Sequence, residues 1–246
     1  MQRLLLTLRY DGTDYHGWQV QPNGVTVQQL LQDAIEAVTG VRSGVIGCSR
    51  TDAGVHADGF CCTFDTESAL RGDRMIGALN AHLPDDIAVY RCDEVAADFH
   101  PRYAACGKRY VYRIWNATYR NPFWERYAVH HRRLLDERAM DEWAKRFVGT
   151  YDFAAFCAAG SSVSDTVRTV TACSVERDGD MITVSVSADG FLYNMVRIIV
   201  GTLLDIAFGK LTPDDITAAL QSGRREQAGA TAPAKGLCLQ TVFYAD

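Results

Sequence analysis

A carboxylate beside an arginine, on a polar run that follows a stretch of core residues, is where this chain first suggests chemistry. The stretch GCSRTDAGVHADG covers residues 47–59, with Arg50 two positions before Asp52 and Ala53-Gly54 directly after it. Val45, Ile46 and Cys48 read as a short buried strand, and an Asp at a strand end is ordinarily a solvated turn residue. A carboxylate that stays ionised in a site is more than that: it is a nucleophile or a general base. Burial raises a carboxyl above its ordinary pKa of about 3.9, and a neighbouring cation opposes the rise. The chain holds a cation in need of such a partner. FLYNMVRIIVGTLLDIAF (191–208) is apolar on almost every side, the pattern of a buried helix, and Arg197 sits in its middle. A buried guanidinium cannot shed its proton and requires a carboxylate. Asp165 and Asp189 are available in its own half of the chain and Asp52 in the other, and the sequence leaves that choice open.

Aromatic residues supply the next candidates. Tyr110 and Tyr112 fall on one face of the strand predicted for KRYVYRIWN (108–116). Either ring suits stacking on a planar ligand, and either suits a core. They belong to a window, residues 100–133, with seven arginines and Lys108 against one acid, Glu125, a net charge of +7. The rest of the chain then carries −12 of the total −5. Eight aromatic residues interleave with those cations. Cations neutralise phosphates and exposed rings stack unpaired bases, so the window reads as an RNA-contacting surface with Lys108, Arg109 and Arg113 as its strand-borne cations.

The composition narrows the class. The 246 residues are 48% hydrophobic and 22% charged, as in a globular protein of one or two domains. No apolar run reaches the roughly 18 residues of a membrane span, and the N-terminus alternates like a strand instead of forming a leader. Eight cysteines without CxxC spacing, and six scattered histidines, argue against a zinc site and for free thiols in the cytoplasm. Phosphate-loop and dinucleotide fingerprints are missing.

Positioning these residues falls to two α+β halves. The first reads strand 3–10, a helix capped by Thr26 and ended by Gly40, strands near 44–50 and 59–65, a helix near 72–82 and a strand near 87–93. That βαββαβ order is the ferredoxin-like pattern. The second half repeats it: strand 108–116, helix 136–149, a hairpin of 168–177 and 181–188, helix 192–208, a short helix opened by Thr212-Pro213, and strand 237–244. The domains fall at 1–104 and 105–246.

YDGTDYHGWQVQ (10–21), GCSRTDAGVHA (47–57), DFHPRYAACGKRYVYRI (98–114), MVRIIVG (195–201) and ATAPAKGL (230–237), in that order, resemble the TruA family of tRNA pseudouridine synthases. The resemblance implies two ferredoxin-like domains whose mixed, largely antiparallel sheets join, a central basic cleft, and a homodimer gripping the anticodon stem-loop of tRNA. It implies isomerisation of uridine to pseudouridine at tRNA positions 38, 39 and 40, without cofactor or metal. It assigns Asp52 as the catalytic aspartate, Arg50 as an RNA contact beside it, Tyr110 as the active-site tyrosine and Arg197 as the aspartate's partner. The loop SSVSDTVRT (161–169) departs from the family by carrying Asp165 where a more basic stretch is expected. A synthase for other RNA uridines and a non-catalytic RNA-binding protein are the rival readings. The second leaves RTDAGVHA and a charge inside an apolar helix without an explanation.

Overall fold

The computed structural model describes residues 1–160 and 163–245, so Ser161 and Ser162, which open the 161–169 loop, lie outside the described residues. In chain order the elements are β1 (Gln2–Tyr10), α1 (Val27–Thr39), β2 (Ile46–Gly47), β3 (His56–Thr66), α2 (Gly72–Asn80), β4 (Ile87–Val95), β5 (Ala105–Trp115), β6 (Val129–His130), α3 (Glu137–Ala144), β7 (Gly149–Asp152), β8 (Val167–Asp178), β9 (Met181–Ala188), α4 (Met195–Ala207), α5 (Pro213–Ser222) and β10 (Leu237–Tyr244). Mixed α/β architecture is the result, with antiparallel and parallel strand pairs both present. No helix among the described residues is long and apolar enough to cross a membrane.

Two compact units divide the chain. The first runs from Met1 to Cys106 and takes in the tail from Cys238 onward; the second runs from Gly107 to Leu237. The terminal strand, assigned on sequence to the second domain, thus belongs mostly to the first unit, where β10 pairs in parallel with β3 through Cys238 opposite His56. That pairing joins residues about 180 positions apart, and no local signal encodes it.

In the first unit β1 is central, antiparallel to both β3 and β4. Leu4, Leu6 and Leu8 sit opposite Phe64, Cys62 and Phe60, and all six are buried. The period-2 alternation of LLLTLRY places them there. Thr26 caps α1 by accepting the amide of Gln29, and Gly40 closes it at φ 75°, a left-handed conformation that glycine adopts without strain. Val27, Leu31, Ala34 and Ile35 form the buried stripe of α1.

The strand expected near 44–50 is a correction: ladder pairing covers Ile46 and Gly47 alone. A side chain at Gly47 would begin 2.6 Å from the indole nitrogen of Trp18, which stacks on Phe60 at 4.0 Å. The Cys48 amide makes one further bond to β3, to the Cys61 carbonyl at 2.8 Å, and at Thr51 the backbone is bound by the 11–18 loop.

In the second unit β5, β9, β8 and β7 are neighbours in that order, all antiparallel. The β8–β9 hairpin turns through Gly179 at φ 56°. Helix α3 is shorter than the expected 136–149 and gives way to a 3-10 turn at Lys145–Phe147. Helix α4 begins at Met195, three residues later than the expected 192, because Asn194 sits at φ 60° and cannot belong to a right-handed helix.

Candidate active site

In the first unit two sequence motifs form one structure around Asp52. The amide of Trp18 donates to the carbonyl of Thr51 at 3.1 Å, and the amide of Gly54 to the carbonyl of Tyr15 at 3.3 Å. The Tyr10 hydroxyl and the buried Thr51 hydroxyl are 2.8 Å apart. Glycines allow this approach. A Cβ on Gly12 would lie 2.0 Å from the Val55 carbonyl oxygen, and one on Gly17 would lie 2.5 Å from that of Thr51. The amide of Val55 donates to the carbonyl of Asp52 at 3.1 Å, closing a tight turn whose third residue, Gly54, has φ 75°. Asp52 therefore stands on a turn clamped from both sides, half-buried, with both flanking backbone segments hydrogen-bonded. Such a turn fixes the point and direction from which the Asp52 side chain leaves the backbone, which suits a reacting group. His56 closes the base of the turn: its Nδ1 lies 3.0 Å from the Gly12 amide and 3.1 Å from an Asp11 oxygen. Arg50 lies in the segment between β2 and β3 and is exposed.

In the second unit the 229–233 segment links Tyr112 to Arg197, and Tyr110 lies on the same strand face as Tyr112. Arg197 is half-buried, a correction to its expected full burial, while ten of the thirteen residues of α4 are buried. Its Nε donates to the carbonyl of Ala232 at 2.7 Å and its Nη1 to Oδ1 of Asn194 at 2.6 Å. The amide of Ala232 returns a bond to the Arg197 carbonyl at 3.1 Å. Gly201, one turn on, makes this possible. A Cβ there would fall 1.6 Å from the Ala230 carbonyl oxygen, so only glycine lets the 229–233 segment lie on the helix. Tyr112 is fully buried and donates its hydroxyl to Pro233 at 2.8 Å; burial raises its pKa, partly offset by the Arg197 charge. Tyr112 therefore braces the segment that holds Arg197. Tyr110, two positions earlier on the same face of β5, is 6% exposed and meets the Phe191 ring edge-on at 4.9 Å.

Asn194 and the Ala232 carbonyl escape a reading by residue type. Asn is among the residues that tolerate left-handed backbone, and that tolerance is the one signal available.

The strand-borne cations split. Lys108 is 8% exposed and shares the face of Tyr110 and Tyr112, whereas Arg109 is exposed and Arg113 half-buried on the other face. Arg109 donates from Nε to the Ser187 hydroxyl at 3.2 Å. Of the eight aromatics in the 100–133 window, Tyr103, Tyr119, Phe123 and Trp124 are exposed. The exposed surface of the window is therefore largely its turn and loop, with Arg109 and Arg113 the cations that the strand adds.

Comparison with known proteins identifies the family. Residues 7–104 and 143–245 match the family described as tRNA pseudouridine synthase. The chain is 47% identical to tRNA pseudouridine synthase A of Acetivibrio thermocellus over 99% of its own length and all of that protein's. It is 46% identical to tRNA pseudouridine synthase A 2 of Clostridium perfringens, again over 99% of this chain and 100% of the relative. With tRNA pseudouridine synthase A of Shouchella clausii the identity is 46%, over 99% of this chain and 94% of the relative. A family match over most of the chain and full-length similarity at this level carry one conclusion: the chain belongs to the tRNA pseudouridine synthase family.

Proposed function

We propose that the protein isomerises uridine to pseudouridine in tRNA, at positions 38, 39 and 40 of the anticodon stem-loop. The observation that carries the reading is the turn Asp52–Val55, locked by the 11–18 loop so that one carboxylate is presented half-buried on a fixed backbone. The reaction breaks the bond from N1 of uracil to C1′, turns the base, and bonds C5 to the same carbon. C5 then gives up a proton and N1 takes one up, so atoms and electrons balance without an oxidant or reductant. Ionised Asp52 either attacks C1′ or takes the C2′ proton, and in both cases its charge is required. Arg197 keeps it ionised. Tyr110 stacks on the detached uracil and helps remove the C5 proton. Arg50, with Arg109 and Arg113, binds phosphate; Lys108, on the tyrosine face, contacts RNA nearer the reacting base.

Several broader features belong to the same reading. The order β4-β1-β3, with β2 antiparallel beside β3, supports a ferredoxin-like first domain, and β5-β9-β8 supports a second built alike. Joined sheets, a central basic cleft and a homodimer complete the proposed assembly. Eight free thiols fit a reducing cytoplasm.

The test is Asp52→Asn, which is nearly isosteric. Tritium release from C5-labelled tRNA should fall by at least about a thousandfold, while tRNA affinity and the melting curve stay near the parent's. Turnover near the parent rate would remove Asp52 from the chemistry.

A further inference from the structure

Beside the aspartate turn lies a cleft of about 290 Å³, entirely within the first unit, that the proposed chemistry does not use. Arg50 forms one rim and the 100–103 turn the other, with Trp18, Gln28 and Ser49 in the floor; no carboxylate lines it. The 100–103 turn is rigid. Nδ1 of His100 accepts the amides of Arg102 and Tyr103 at 3.2 and 3.4 Å, which leaves Nε2 as the protonated, donating nitrogen. The turn is also tied to the sheet. The Phe99 carbonyl accepts from Arg3 at 3.2 Å, and the Pro101 carbonyl from the Tyr244 hydroxyl at 2.9 Å. His100 and Tyr103 stack at 4.2 Å with their planes 29° apart, yet Tyr103 is 79% exposed. One face of the tyrosine is therefore covered by imidazole and the other is open.

We infer that this cleft is a subsite for a single unpaired RNA nucleotide next to the target uridine. Its phosphate bridges Arg50 and Arg102, and its base stacks on the open face of Tyr103. Two guanidiniums without a carboxylate select a phosphate. A pre-stacked aromatic ring selects a planar base at little entropic cost. A cleft of about 290 Å³ matches the size of a single nucleotide. Arg50 is two residues from Asp52, and two residues span at most about 7 Å, so the nucleotide held here is a neighbour of the one that reacts. The inference rests on the tRNA reading above and adds to it how the loop is held open while one base is withdrawn.

The experiment uses an anticodon stem-loop with 2-aminopurine next to the target uridine, bound to the Asp52→Asn protein so that no turnover intervenes. Binding should change the fluorescence of the probe. Adding Tyr103→Ala should abolish that change and Tyr103→Phe should restore it. In the active protein, Tyr103→Ala should lower kcat/KM for tRNA about tenfold or more, chiefly through KM, with an unchanged melting curve. Arg102→Gln should reduce the salt slope of binding by about one phosphate contact, 0.7 to 0.9 log units per log unit of salt. A fluorescence change and kcat/KM that survive Tyr103→Ala would overturn the subsite. Loss of parent turnover would instead overturn the tRNA reading, and the binding arm would still judge the subsite.

Discussion

Arginine 197 shows what a single residue contributes. Two of its nitrogens are committed to Asn194 and Ala232, so the guanidinium cannot swing within its own unit. Arg197→Met keeps the length of the apolar stem and removes the charge. If that charge holds Asp52 ionised, the carboxyl's pKa rises in the variant. The acid limb of the kcat–pH profile should then move to higher pH, alongside a loss of at least about tenfold at neutral pH. An acid limb that stays in place would separate the two residues. Asn194 allows a cleaner dissection, because its backbone and its side chain do different things. At φ 60° an Asn pays a modest conformational cost that glycine does not. Asn194→Gly should therefore hold or slightly raise the melting temperature while lowering kcat, since Nη1 loses its acceptor. Asn194→Ala should lower both. Parent-like kcat in the glycine variant would show that Asn194 serves the turn alone.

The same logic extends to elements, where α4 and the 229–233 segment behave as one part. Gly201→Ala puts a methyl 1.6 Å from a backbone oxygen that has no rotamer to escape into. Overpacking of this kind costs about 1–3 kcal/mol and should lower the melting temperature; moving Ala232 off Arg197 should lower kcat as well. Asp205 ties the segment down farther along α4, accepting the Ala230 amide at 3.0 Å and Lys210 Nζ at 2.9 Å. Burial pushes its carboxyl up, but those two donors outweigh burial and hold it below the ordinary carboxylate value. A carboxyl depressed in the fold stabilises it above the unfolded pKa of about 3.9 and loses that contribution as pH falls through the folded value. Asp205→Asn should thus flatten part of the acid-side fall of the melting temperature below about pH 4. Elements of this kind were legible where a local rule encodes them: Leu4, Leu6 and Leu8 alternate, Thr26 and Gly40 bracket α1, and Thr212, Pro213 and Asp215 open α5 with a capping box. They were illegible where distant chain decides. The end of β2 is set by Trp18 and the 11–18 loop, and the start of α4 by the left-handed Asn194. The motif residues stood out by type, but the carbonyl that holds Nε of Arg197 comes from a segment 35 positions away.

At the scale of the molecule the question is how a chain of net charge −5 grips a polyanion. Basic residues must be concentrated on one surface, and strand alternation decides which of them count. Arg109 and Arg113 face one side of β5 and Lys108 the other, so the three should not act alike. Replacing Arg109 and Arg113 together with Gln should flatten the salt dependence of tRNA affinity by about two contacts, roughly 1.4 to 1.8 log units per log unit of salt, while kcat at saturating tRNA changes little. Lys108→Gln should do the reverse, leaving most of the slope and lowering kcat, because it shares the face of Tyr110. A slope unmoved by the double replacement would make the arginine face structural. Exposed Tyr119 and Phe123 enlarge the candidate surface in the loop that follows β5. A single 27.2 kDa subunit presents these residues once. The proposed homodimer would let one copy hold the body of the tRNA while the other works on its anticodon arm. Light scattering at working concentration should then give about twice the subunit mass. Mixing the parent with Asp52→Asn subunits that also carry the Arg109 and Arg113 replacements should give mixed dimers with less than the parent activity per active site, because the tRNA grip is weakened in trans. A mass near one subunit, or activity strictly proportional to the number of intact subunits, would mean that each chain binds and modifies its tRNA alone.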